Sequence, residues 1–451
     1  MHLHILGIGG TFMSALAILA RQAGFKVTGC DAACYPPVST LLAEQGIDWT
    51  EGYDVTDSAL QADCVIVGNA VKRGMPVIEA VLNAGKNYTS GPQWLAEHIL
   101  SRYRVIAVSG THGKTTTTSM IAHILQQTGC EPGFLIGGVA TNFNTSAQLG
   151  TGPLFVIEAD EYDSAFFDKR PKLMHYRPEI TILNNLEFDH ADIYPDLAAI
   201  QQQFHFYLKT IPGKGMVIKP RDDAALNAVV QQGIYSAVAE FALHGEADWR
   251  AELINESGQA FKVWHKGECL AEVNWSLIGH FNVENGLAAI AASAYAGVAV
   301  DKAAKALAGF KPVKRRLEVK SDHHGITVYD DFAHHPTAIT KTIHALQQSN
   351  RHQRIFAVLE FASYTMKTGV HTEAMGKALA TVDGAFVLKP QHAMEDATKD
   401  WICPYQVLPD TQSIVTNLVR ELKPGDAVLV MSNRGFDNIH QQLTEQIALK
   451  Y

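Results

Sequence analysis

The chain has 451 residues, of which 47% are hydrophobic and 18% charged, and its formal net charge is −9 at pH 7. This length exceeds what a single compact core usually contains, so we expect two to four domains. The negative net charge argues against a nucleic-acid partner, because most of the surface would repel phosphate groups.

The cysteines and the apolar runs indicate the compartment. None of the six cysteines belongs to a C-x-x-C pair, which favours reduced thiols in a cytoplasm over disulfides or a zinc site. The amino-terminal stretch "MHLHILGIGGTFM" lacks a cationic leader followed by a long apolar stretch. No run approaches the ~18 apolar residues that cross a bilayer. We expect a soluble, cytoplasmic protein without a membrane partner.

Strand-like and helix-like segments alternate in the amino-terminal part of the chain. "HLHILGIGG" predicts a buried strand that enters a glycine turn, "MSALAILARQAG" a helix, and "KVTGCD" a second strand. Further strands are predicted in "ADCVIVGNAV" and "KNYTSG", with the helix "PVIEAVLNAG" between them. Such alternation predicts a parallel sheet with helical crossovers.

The first glycine turn, "GIGGTF" at 7–12, is similar to the dinucleotide fingerprint G-x-G-x-x-G, and the acid Asp31 follows about twenty residues later. Phe12 stands where the fingerprint has its last glycine. From the residues alone, three interpretations are open: an NAD site, a site for another diphosphate ligand, or a tight turn that binds nothing.

A second glycine turn, "VSGTHGKTTTTS" at 108–119, lies between the apolar run "RVIAV" and the helical stretch "MIAHILQQTG". Backbone N–H groups in such a turn, with the helix N-terminus, form a cradle for phosphate. Lys114 could reach the outer phosphates, and the Thr115 hydroxyl could hold Mg²⁺. Val108 departs from the usual G-x-x-x-x-G-K-[ST] spacing, and Gly110 is an extra glycine. The alternative is a glycine-rich turn with a surface lysine.

Acids follow two predicted strands of this second unit. "GPLFVIEADEYD" and "PEITILNNLEFDHADIY" each end in acids, and "GMVIKP" predicts a third strand. Parallel strands present ligand groups at their carboxyl ends, so Glu158 and the pair Asp189–His190 are candidates for holding Mg²⁺. The alternatives are helix caps for the acids and a structural role for His190, since Mg²⁺ prefers oxygen.

The rest of the chain completes a three-domain α/β fold. Residues 235–277 are β-rich, "NVENGLAAIAASAYAGV" predicts a helix, and a third alternating unit begins after "GFKPVKRR". We place the domains at residues 1–103, 104–312 and 313–451.

Six motifs occur in an order and spacing similar to those of the Mur ligase family: "GTHGKTTTT", "EADEYD", "NNLEFDH", "GHFNVENGLAAIAA", "RRLE" and "DDFAHHP". The resemblance covers nearly the whole chain. It implies a Rossmann-like amino-terminal domain for a UDP-sugar, a central P-loop ATPase domain, and a Rossmann-like carboxyl-terminal domain for the amine or peptide substrate. It also implies an ATP-dependent ligase of peptidoglycan assembly, in which ATP phosphorylates a substrate carboxylate and an amine attacks the acyl phosphate.

The resemblance implies a site for ATP and Mg²⁺ between the second and third domains. Lys114 would neutralise charge at the transferring phosphoryl group, and Asp331 matches the position that holds the ATP ribose. Arg316, with Arg315 as a second candidate, would reach the γ-phosphate. The implied catalytic residues are Lys114, Glu158, His190 and Arg316. The implied Mg²⁺ positions are Thr115, Glu158 and His190. The implied ATP contacts are Gly110, Thr111, His112, Gly113, Lys114, Thr115, Thr116, Asn282, Asn285, Arg316 and Asp331.

The resemblance also assigns the first glycine turn. In the branch that acts on UDP-N-acetylmuramate, a turn like "GIGGTFM" holds the UDP diphosphate, so Phe12 is no obstacle. The implied substrate-binding residues are Gly7, Gly9, Gly10, Thr11 and Asp31. The stretches "EADEYDSAFFDKRPKLMHYRPEITILNNLEFDHADIY" and "CDAACYPPVSTLLAEQGI" look closer to members that take the free tripeptide L-alanyl-γ-D-glutamyl-meso-diaminopimelate in peptidoglycan recycling. We expect this murein tripeptide as the amine substrate, with the L-alanine of de novo synthesis as the alternative.

The chain departs from the family pattern in two motifs of the second domain. No lysine occurs in "ADIYPDLAAIQQQFHFYL", so we predict no carbamylated lysine and leave the ligands of a second metal open. The adenine motif reads Gly279-His280-Phe281-Asn282 rather than G-x-H-N, which puts a role for His280 in doubt. Helix N-capping is the alternative role for Asn282.

A third departure concerns the peptide. Glu360-Phe361-Ala362 stands where relatives have Pro-Arg after a strand Glu, which predicts the loss of a carboxylate-binding arginine. Lys367 and Arg434, in strand-end loops, are candidates for binding peptide carboxylates, with solvated surface charge as the alternative.

Three other functions compete with this interpretation. A dehydrogenase would bind NADH, a P-loop switch would not need three α/β domains, and a folate polyglutamate synthetase would lack a UDP-binding domain. Binding of UDP-sugars, folates or NADH would discriminate among them.

Overall fold

The computed structural model describes residues 1–362, 366, 371–389, 398 and 401–450. Within these residues the strands form three sheets, and helices connect most of the parallel strands. No helix in the described ranges has both the length and the apolar character needed to cross a membrane.

The amino-terminal sheet is entirely parallel, as the alternating pattern predicts. Its strands are β1 (His2–Leu6), β2 (Lys26–Asp31), β3 (Asp48–Glu51), β4 (Cys64–Val67) and β5 (Tyr88–Ser90). Its helices are α1 (Thr11–Gln22), α2 (Val38–Glu44), α3 (Asp57–Gln61), α4 (Pro76–Asn83), α5 (Gly91–His98) and the 3₁₀ helix Leu100–Arg102. The strand order is β3-β2-β1-β4-β5. The central strand β1 is buried on both faces, which explains its nearly continuous apolar sequence.

The middle sheet has ten strands. They are β6 (Arg104–Ser109), β7 (Gly133–Ala140), β8 (Thr145–Gln148), β9 (Leu154–Glu158), β10 (Ile180–Leu183), β11 (Met216–Pro220), β12 (Ala237–Ala242), β13 (Trp249–Leu253), β14 (Ala260–His265) and β15 (Glu268–Asn274). Their order is β15-β14-β13-β12-β11-β10-β6-β9-β7-β8. The seven central strands, β13-β12-β11-β10-β6-β9-β7 in sheet order, pair in parallel. At one end of the sheet β14 and β15 are added antiparallel, and at the other end β8 is added antiparallel.

Helices of the middle domain support the phosphate turn. They are α6 (Lys114–Gln127), α7 (Leu197–Leu208), α8 (Ala224–Gln231), α9 (His280–Tyr295), α10 (Val300–Leu307) and the 3₁₀ helix Lys172–His175. The helix α6 packs against α9, and both bury Ala- and Ile-rich faces in one core. The start of α6 is therefore fixed against the start of α9.

The carboxyl-terminal sheet has six strands. They are β16 (Glu318–His323), β17 (Ile326–Asp331), β18 (Arg354–Glu360), β19 (Gly384–Leu388), β20 (Tyr405–Leu408) and β21 (Asp426–Met431). The helices are α11 (Pro336–Gln348), α12 (Thr372–Ala378), α13 (Thr411–Glu421), α14 (Ile439–Lys450) and the 3₁₀ helix Phe436–Asn438. The order is β16-β17-β21-β18-β19-β20, and all pairs are parallel except β16 with β17.

The segment 159–176, after β9, connects the first domain to the phosphate turn. The Asn69 side chain donates to the Asp163 carbonyl over 2.8 Å, and the Ser90 hydroxyl donates to the Asp168 carboxylate over 2.8 Å. A few residues away on the same segment, Glu161 accepts from Lys114. One short segment therefore contacts both the first domain and the start of α6.

Candidate active site

The phosphate turn lies between β6 and α6, where the sequence predicts it. Gly110 and Gly113 have φ of +123° and +79°, which side-chain-bearing residues rarely adopt. A Cβ on Gly113 would lie 2.6 Å from the Asn285 side-chain oxygen. Glycine is required here by both conformation and space, so that the backbone can wrap closely around the start of α6.

Lys114 begins α6 and its side chain is only 11% exposed, so the surface-lysine alternative is wrong. Its ammonium donates to both carboxylate oxygens of Glu161, at 2.8 and 3.0 Å, and lies 3.6 Å from Asp160. Burial by itself lowers the pKa of Lys114, but the neighbouring carboxylates outweigh that effect and raise it. Lys114 is therefore a fully charged cation at the phosphate turn, paired with Glu161.

Glu158, the last residue of β9, is directed towards the same turn. It accepts from the Thr115 hydroxyl over 3.2 Å and from the Gly137 N–H over 2.8 Å. Burial raises the pKa of Glu158, while Lys114 lowers it. A partly buried carboxylate beside a threonine hydroxyl is an oxygen ligand set that fits Mg²⁺.

His190 lies with two other acids rather than with Glu158. Its Nε2 is 3.2 Å from the Glu161 carboxylate, and ligand atoms of Asp160, Glu161 and His190 all lie within 4.8 Å of one another. Its φ of +57° is a left-handed conformation that non-glycine residues seldom adopt outside constrained sites. The structure thus forms two neighbouring groups, Thr115–Glu158 and Asp160–Glu161–His190.

Asp160 and Glu161 are functional candidates that the sequence interpretation did not select. Both are in the motif "EADEYD", directly after the strand that ends in Glu158. A cluster of three acids at one strand end was the available signal. Sequence alone did not show that two of these acids pair with Lys114, because that pairing depends on how the segment folds back.

Arg316 reaches the phosphate turn across the boundary to the third domain. Its guanidinium donates to the Thr115 hydroxyl over 3.3 Å. Arg315 instead donates to the Ser432 and Arg434 carbonyls, both at 2.6 Å, inside the third domain. The structure therefore brings Arg316, and not Arg315, to the turn.

Asp331, at the end of β17, anchors the linker that carries Arg316, which is the stretch between α10 and β16 that leads into the third domain. Its two oxygens accept from the N–H groups of Leu317 and Ala333, at 2.7 and 2.8 Å. Burial raises the pKa of Asp331 despite the nearby Arg316. The predicted ribose residue is thus also a structural support for the linker.

The two asparagines of α9 lie in its first turns. Asn285 accepts from the Thr117 hydroxyl over 3.1 Å, behind the phosphate turn. Asn282 donates to the Ile278 carbonyl over 2.8 Å. The helix N-cap is Gly279, so the capping alternative for Asn282 is wrong. His280 contacts the Glu256 carbonyl over 2.9 Å.

The glycine turn of the first domain connects β1 to α1. Gly7 has a φ of +82°, and a Cβ on Gly9 would lie 2.7 Å from the Cys34 sulfur. The Asp31 carboxylate accepts from the Gly9 N–H over 2.7 Å and from the Tyr53 hydroxyl over 3.3 Å. Asp31 therefore holds the glycine turn in shape. The turn continues through Gly10 to Thr11, the first residue of α1, and these two residues are the remaining members of the predicted substrate site.

The third domain places two polar groups at the carboxyl ends of β18 and β21. Glu360 accepts from the Ser432 hydroxyl over 2.5 Å, and the exposed Arg434 follows two residues after Ser432. Lys367, the other predicted cation, lies outside the described residues.

The fold and the site define a three-domain P-loop enzyme whose phosphate turn meets an arginine from the third domain. Models of the Mur ligase family match the chain in three parts: the family's catalytic domain over residues 2–103, its middle domain over 108–293 and its glutamate ligase domain over 315–434. The chain belongs to the Mur ligase family, and it is a ligase.

Individual relatives cover the full length. The chain is 48% identical, over all of both chains, to a Haemophilus influenzae protein named UDP-N-acetylmuramate–L-alanyl-γ-D-glutamyl-meso-2,6-diaminoheptandioate ligase. A crystal structure of a murein peptide ligase from Psychrobacter arcticus aligns with a TM-score of 0.79 at 44% identity, covering 99% of this chain and 98% of that one. A UDP-N-acetylmuramate–L-alanine ligase from Desulforapulum autotrophicum is 31% identical over 99% of both chains.

Proposed function

We propose that this ligase joins the carboxylate of UDP-N-acetylmuramate to the amino group of the free tripeptide L-alanyl-γ-D-glutamyl-meso-diaminopimelate, with hydrolysis of ATP to ADP and phosphate. The observation that carries this proposal is the 48% identity over the full length to a ligase named for that substrate pair, against 31% to one named for L-alanine. The peptidoglycan-recycling reaction is favoured for this reason.

The reaction has two steps in which bonds and charges balance. A carboxylate oxygen of the sugar attacks the γ-phosphorus of ATP, the bond to the β–γ bridging oxygen breaks, and ADP leaves. The peptide amine, as the free base, then attacks the acyl carbon; phosphate leaves and the nitrogen loses one proton. Phosphorylation is needed because a carboxylate is a poor electrophile, and the acyl phosphate has a good leaving group.

We assign the first step to the turn around Lys114. The backbone of residues 110–116 would hold the ATP phosphates, and Lys114 would move from Glu161 to the transferring phosphoryl group. Arg316 would contact the γ-phosphate from the third domain, since it already reaches Thr115. Asn282, Asn285 and Asp331 would contribute to the nucleoside end of the site.

Mg²⁺ fits two positions. Thr115 and Glu158 would hold one ion, and His190 with Asp160 and Glu161 supports a second, in which the acids supply the oxygen that Mg²⁺ prefers. When bound, the ion would neutralise charge on the phosphates. Lys114 now occupies the space between these acids, so its release on ATP binding would free them.

The three domains would divide the substrates. Residues 1–103 would bind UDP-N-acetylmuramate through Gly7, Gly9, Gly10, Thr11 and Asp31; residues 104–312 would bind ATP; residues 313–451 would bind the peptide. The N-terminus of α1 supports the first assignment, because helix N-termini bind diphosphates. Arg434, exposed three residues after β21, is a described cation that would be available for a peptide carboxylate there.

An ATP-consumption assay tests the substrate pair. UDP-N-acetylmuramate is incubated with the enzyme, ATP and Mg²⁺, and with either the tripeptide or L-alanine. We expect efficient turnover with the tripeptide and little with L-alanine. Turnover with L-alanine alone would refute the peptide assignment and leave the ligase mechanism intact.

A further inference from the structure

A third group of potential ligands lies on the opposite side of the phosphate turn from Glu158, since β10 and β9 flank β6. His112 Nε2 is 2.9 Å from Glu187 Oε2, and His335 Nδ1 is 3.3 Å from the same oxygen. His112 belongs to the turn, Glu187 follows β10, and His335 precedes α11 of the third domain. Ligand atoms of the three side chains all lie within 4.8 Å of one another.

Two of the three separations between these atoms are close to those around a tetrahedral ion. Bonds of about 2.0–2.1 Å to nitrogen and oxygen, as Zn²⁺ makes, place ligand atoms roughly 3.3 Å apart along the edges of a tetrahedron. The two contacts to Glu187 are close to that edge length. Two imidazoles and one carboxylate are a ligand set that Zn²⁺ or Co²⁺ prefers and Mg²⁺ does not.

The surroundings orient these ligands. The Thr337 hydroxyl donates to the other Glu187 oxygen over 3.0 Å, which leaves Oε2 facing the histidines. The Thr337 N–H donates to His335 Nδ1 over 3.3 Å, which is the N-cap contact of α11, so a metal bound through Nδ1 would replace this long hydrogen bond. His335 is also buried, and its Nε2 has no hydrogen-bond partner among the described residues.

We propose that His112, Glu187 and His335 form a binding site for a tetrahedral transition-metal ion, with Zn²⁺ as the best match, separate from the Mg²⁺ positions. The ion links the phosphate turn to the third domain and stabilises the arrangement in which the two are in contact. A water completes the coordination from the open side, since the Glu187 side chain is 34% exposed. Zn²⁺ at this site inhibits turnover by opposing domain opening and product release.

Cobalt absorption tests the site in the full-length protein. Co²⁺ is added to enzyme saturated with Mg²⁺ and ADP, so that the phosphate-turn positions are filled. We expect the intense visible bands of a four-coordinate ion at one equivalent. His335→Asn should weaken Co²⁺ binding roughly tenfold or more, a change within the range that altered metal-site residues produce. Asparagine remains a good helix N-cap, so α11 is preserved.

A control and a second readout accompany this test. His352→Asn makes the same chemical change in the same domain, at a histidine hydrogen-bonded to Tyr329, and should leave the cobalt spectrum unaltered. In activity assays at saturating Mg²⁺, His335→Asn should need about tenfold more Zn²⁺ for half-inhibition than the unaltered enzyme. Glu187→Gln provides a second ligand variant if His335→Asn does not fold.

Three results would overturn the proposal. The first is a weak, six-coordinate cobalt spectrum in the unaltered enzyme. The second is a four-coordinate spectrum that survives in both ligand variants. The third is a spectrum that His190→Asn abolishes and the ligand variants do not, which would place the ion at Asp160 and Glu161.

Discussion

At the scale of single residues, Glu158 differs from the surface acids because burial raises its pKa while it still faces a lysine and a threonine hydroxyl. We expect Glu158→Gln to increase the Mg²⁺ concentration for half-maximal activity by roughly tenfold or more, since a ligand charge is lost. Activity is measured against Mg²⁺ at saturating ATP, and the thermal midpoint is measured on the same protein.

The matched control for this prediction is Glu179→Gln. Glu179 pairs with Arg104 over 2.8 Å in a partly exposed salt bridge at the start of the neighbouring strands, so its replacement should leave the Mg²⁺ dependence unchanged. If Glu158→Gln lowers only the thermal midpoint, Glu158 is a structural residue and not a ligand.

The residue types at the site were predictable, whereas their pairings were not. The glycine-rich motif around Lys114 predicts a phosphate site, and the position of Glu158 at the end of a strand predicts a metal ligand. The pairing of Lys114 with Glu161, and of Glu161 with His190, brings together residues 47 and 29 positions apart. It depends on the path of the segment 159–176, and no local periodicity encodes that path.

At the scale of elements, the start of α6 offers a sharp comparison of two glycines. Gly113→Ala should abolish detectable ATP binding, because the new Cβ would lie 2.6 Å from Asn285 and the φ of +79° is strained. Gly129, just after the same helix, has a φ of +77° and open space around it. Gly129→Ala should cost only the conformational strain, about 1–2 kcal/mol, and keep ATP binding.

Calorimetric titration with ATP and with UDP-N-acetylmuramate distinguishes these two variants. Binding of the UDP-sugar, which we assign to another domain, should survive in both. Equal ATP affinities in the two variants would mean that the packing against Asn285 is unimportant for the turn.

His4, in the strand β1, makes the stability of the folded protein depend on pH. Burial, with a smaller contribution from His2, lowers the pKa of His4 to about 4. The folded state therefore favours neutral His4, while the unfolded chain takes up a proton below its ordinary pKa of about 6.5. Above about pH 6.5 the full stabilisation from neutral His4 is present. As the pH falls from 6.5 towards 4, the free energy of unfolding decreases by about 3 kcal/mol for a pKa shift of this size.

Urea unfolding followed by tryptophan fluorescence checks this dependence, since Trp94 is buried in the same core. Between pH 7.5 and 5, the unaltered protein should lose more stability than His4→Gln, which cannot titrate. His344→Gln, at an exposed position on α11, should behave like the unaltered protein. Parallel curves for the unaltered protein and His4→Gln would contradict the prediction.

Long, periodic elements were predictable from the sequence, and short edge strands were not. β2 was predicted at its observed bounds because "KVTGCD" lies between a helix-ending glycine and a turn. The edge strand β16, "EVKSDH", is mostly exposed and polar, so it has no alternation of apolar and polar residues that would predict a strand. Such strands form because a neighbour offers unpaired backbone groups, which is a tertiary effect.

At the scale of the whole molecule, Arg316 connects the third domain to the phosphate turn. Arg316→Ala should reduce the rate of acyl-phosphate formation by roughly 10²–10³, as loss of a charge-stabilising donor does. The affinity for UDP-N-acetylmuramate should not change, because its proposed site lies in the first domain.

Single-turnover kinetics with rapid quench measure that rate. Arg351→Ala, at an exposed position in the same domain, serves as the control and should leave it unchanged. A loss of UDP-sugar affinity in Arg316→Ala equal to the loss of rate would indicate a general disturbance of the fold.

The three-domain division was predictable from the restarts of the alternating pattern, but the extent of the middle sheet was not. The sequence predicted that the stretch 235–277 is β-rich, but not which strands it pairs with. In the structure β12 pairs with β11 and β13 with β12, both in parallel, so the stretch extends the nucleotide-binding sheet. Its position depends on the buried Trp249 and Phe261, which pack in the same core as α9.

The segment 159–176 restricts how this protein can vary in length. Within eight residues it contacts the phosphate-turn lysine through Glu161 and the first domain through Asp163 and Asp168. An insertion or deletion there would displace one set of contacts relative to the other. The exposed turn at Lys266 and Gly267, between β14 and β15, has no such double attachment. Length differences among related ligases should therefore accumulate at that turn and be absent from the segment.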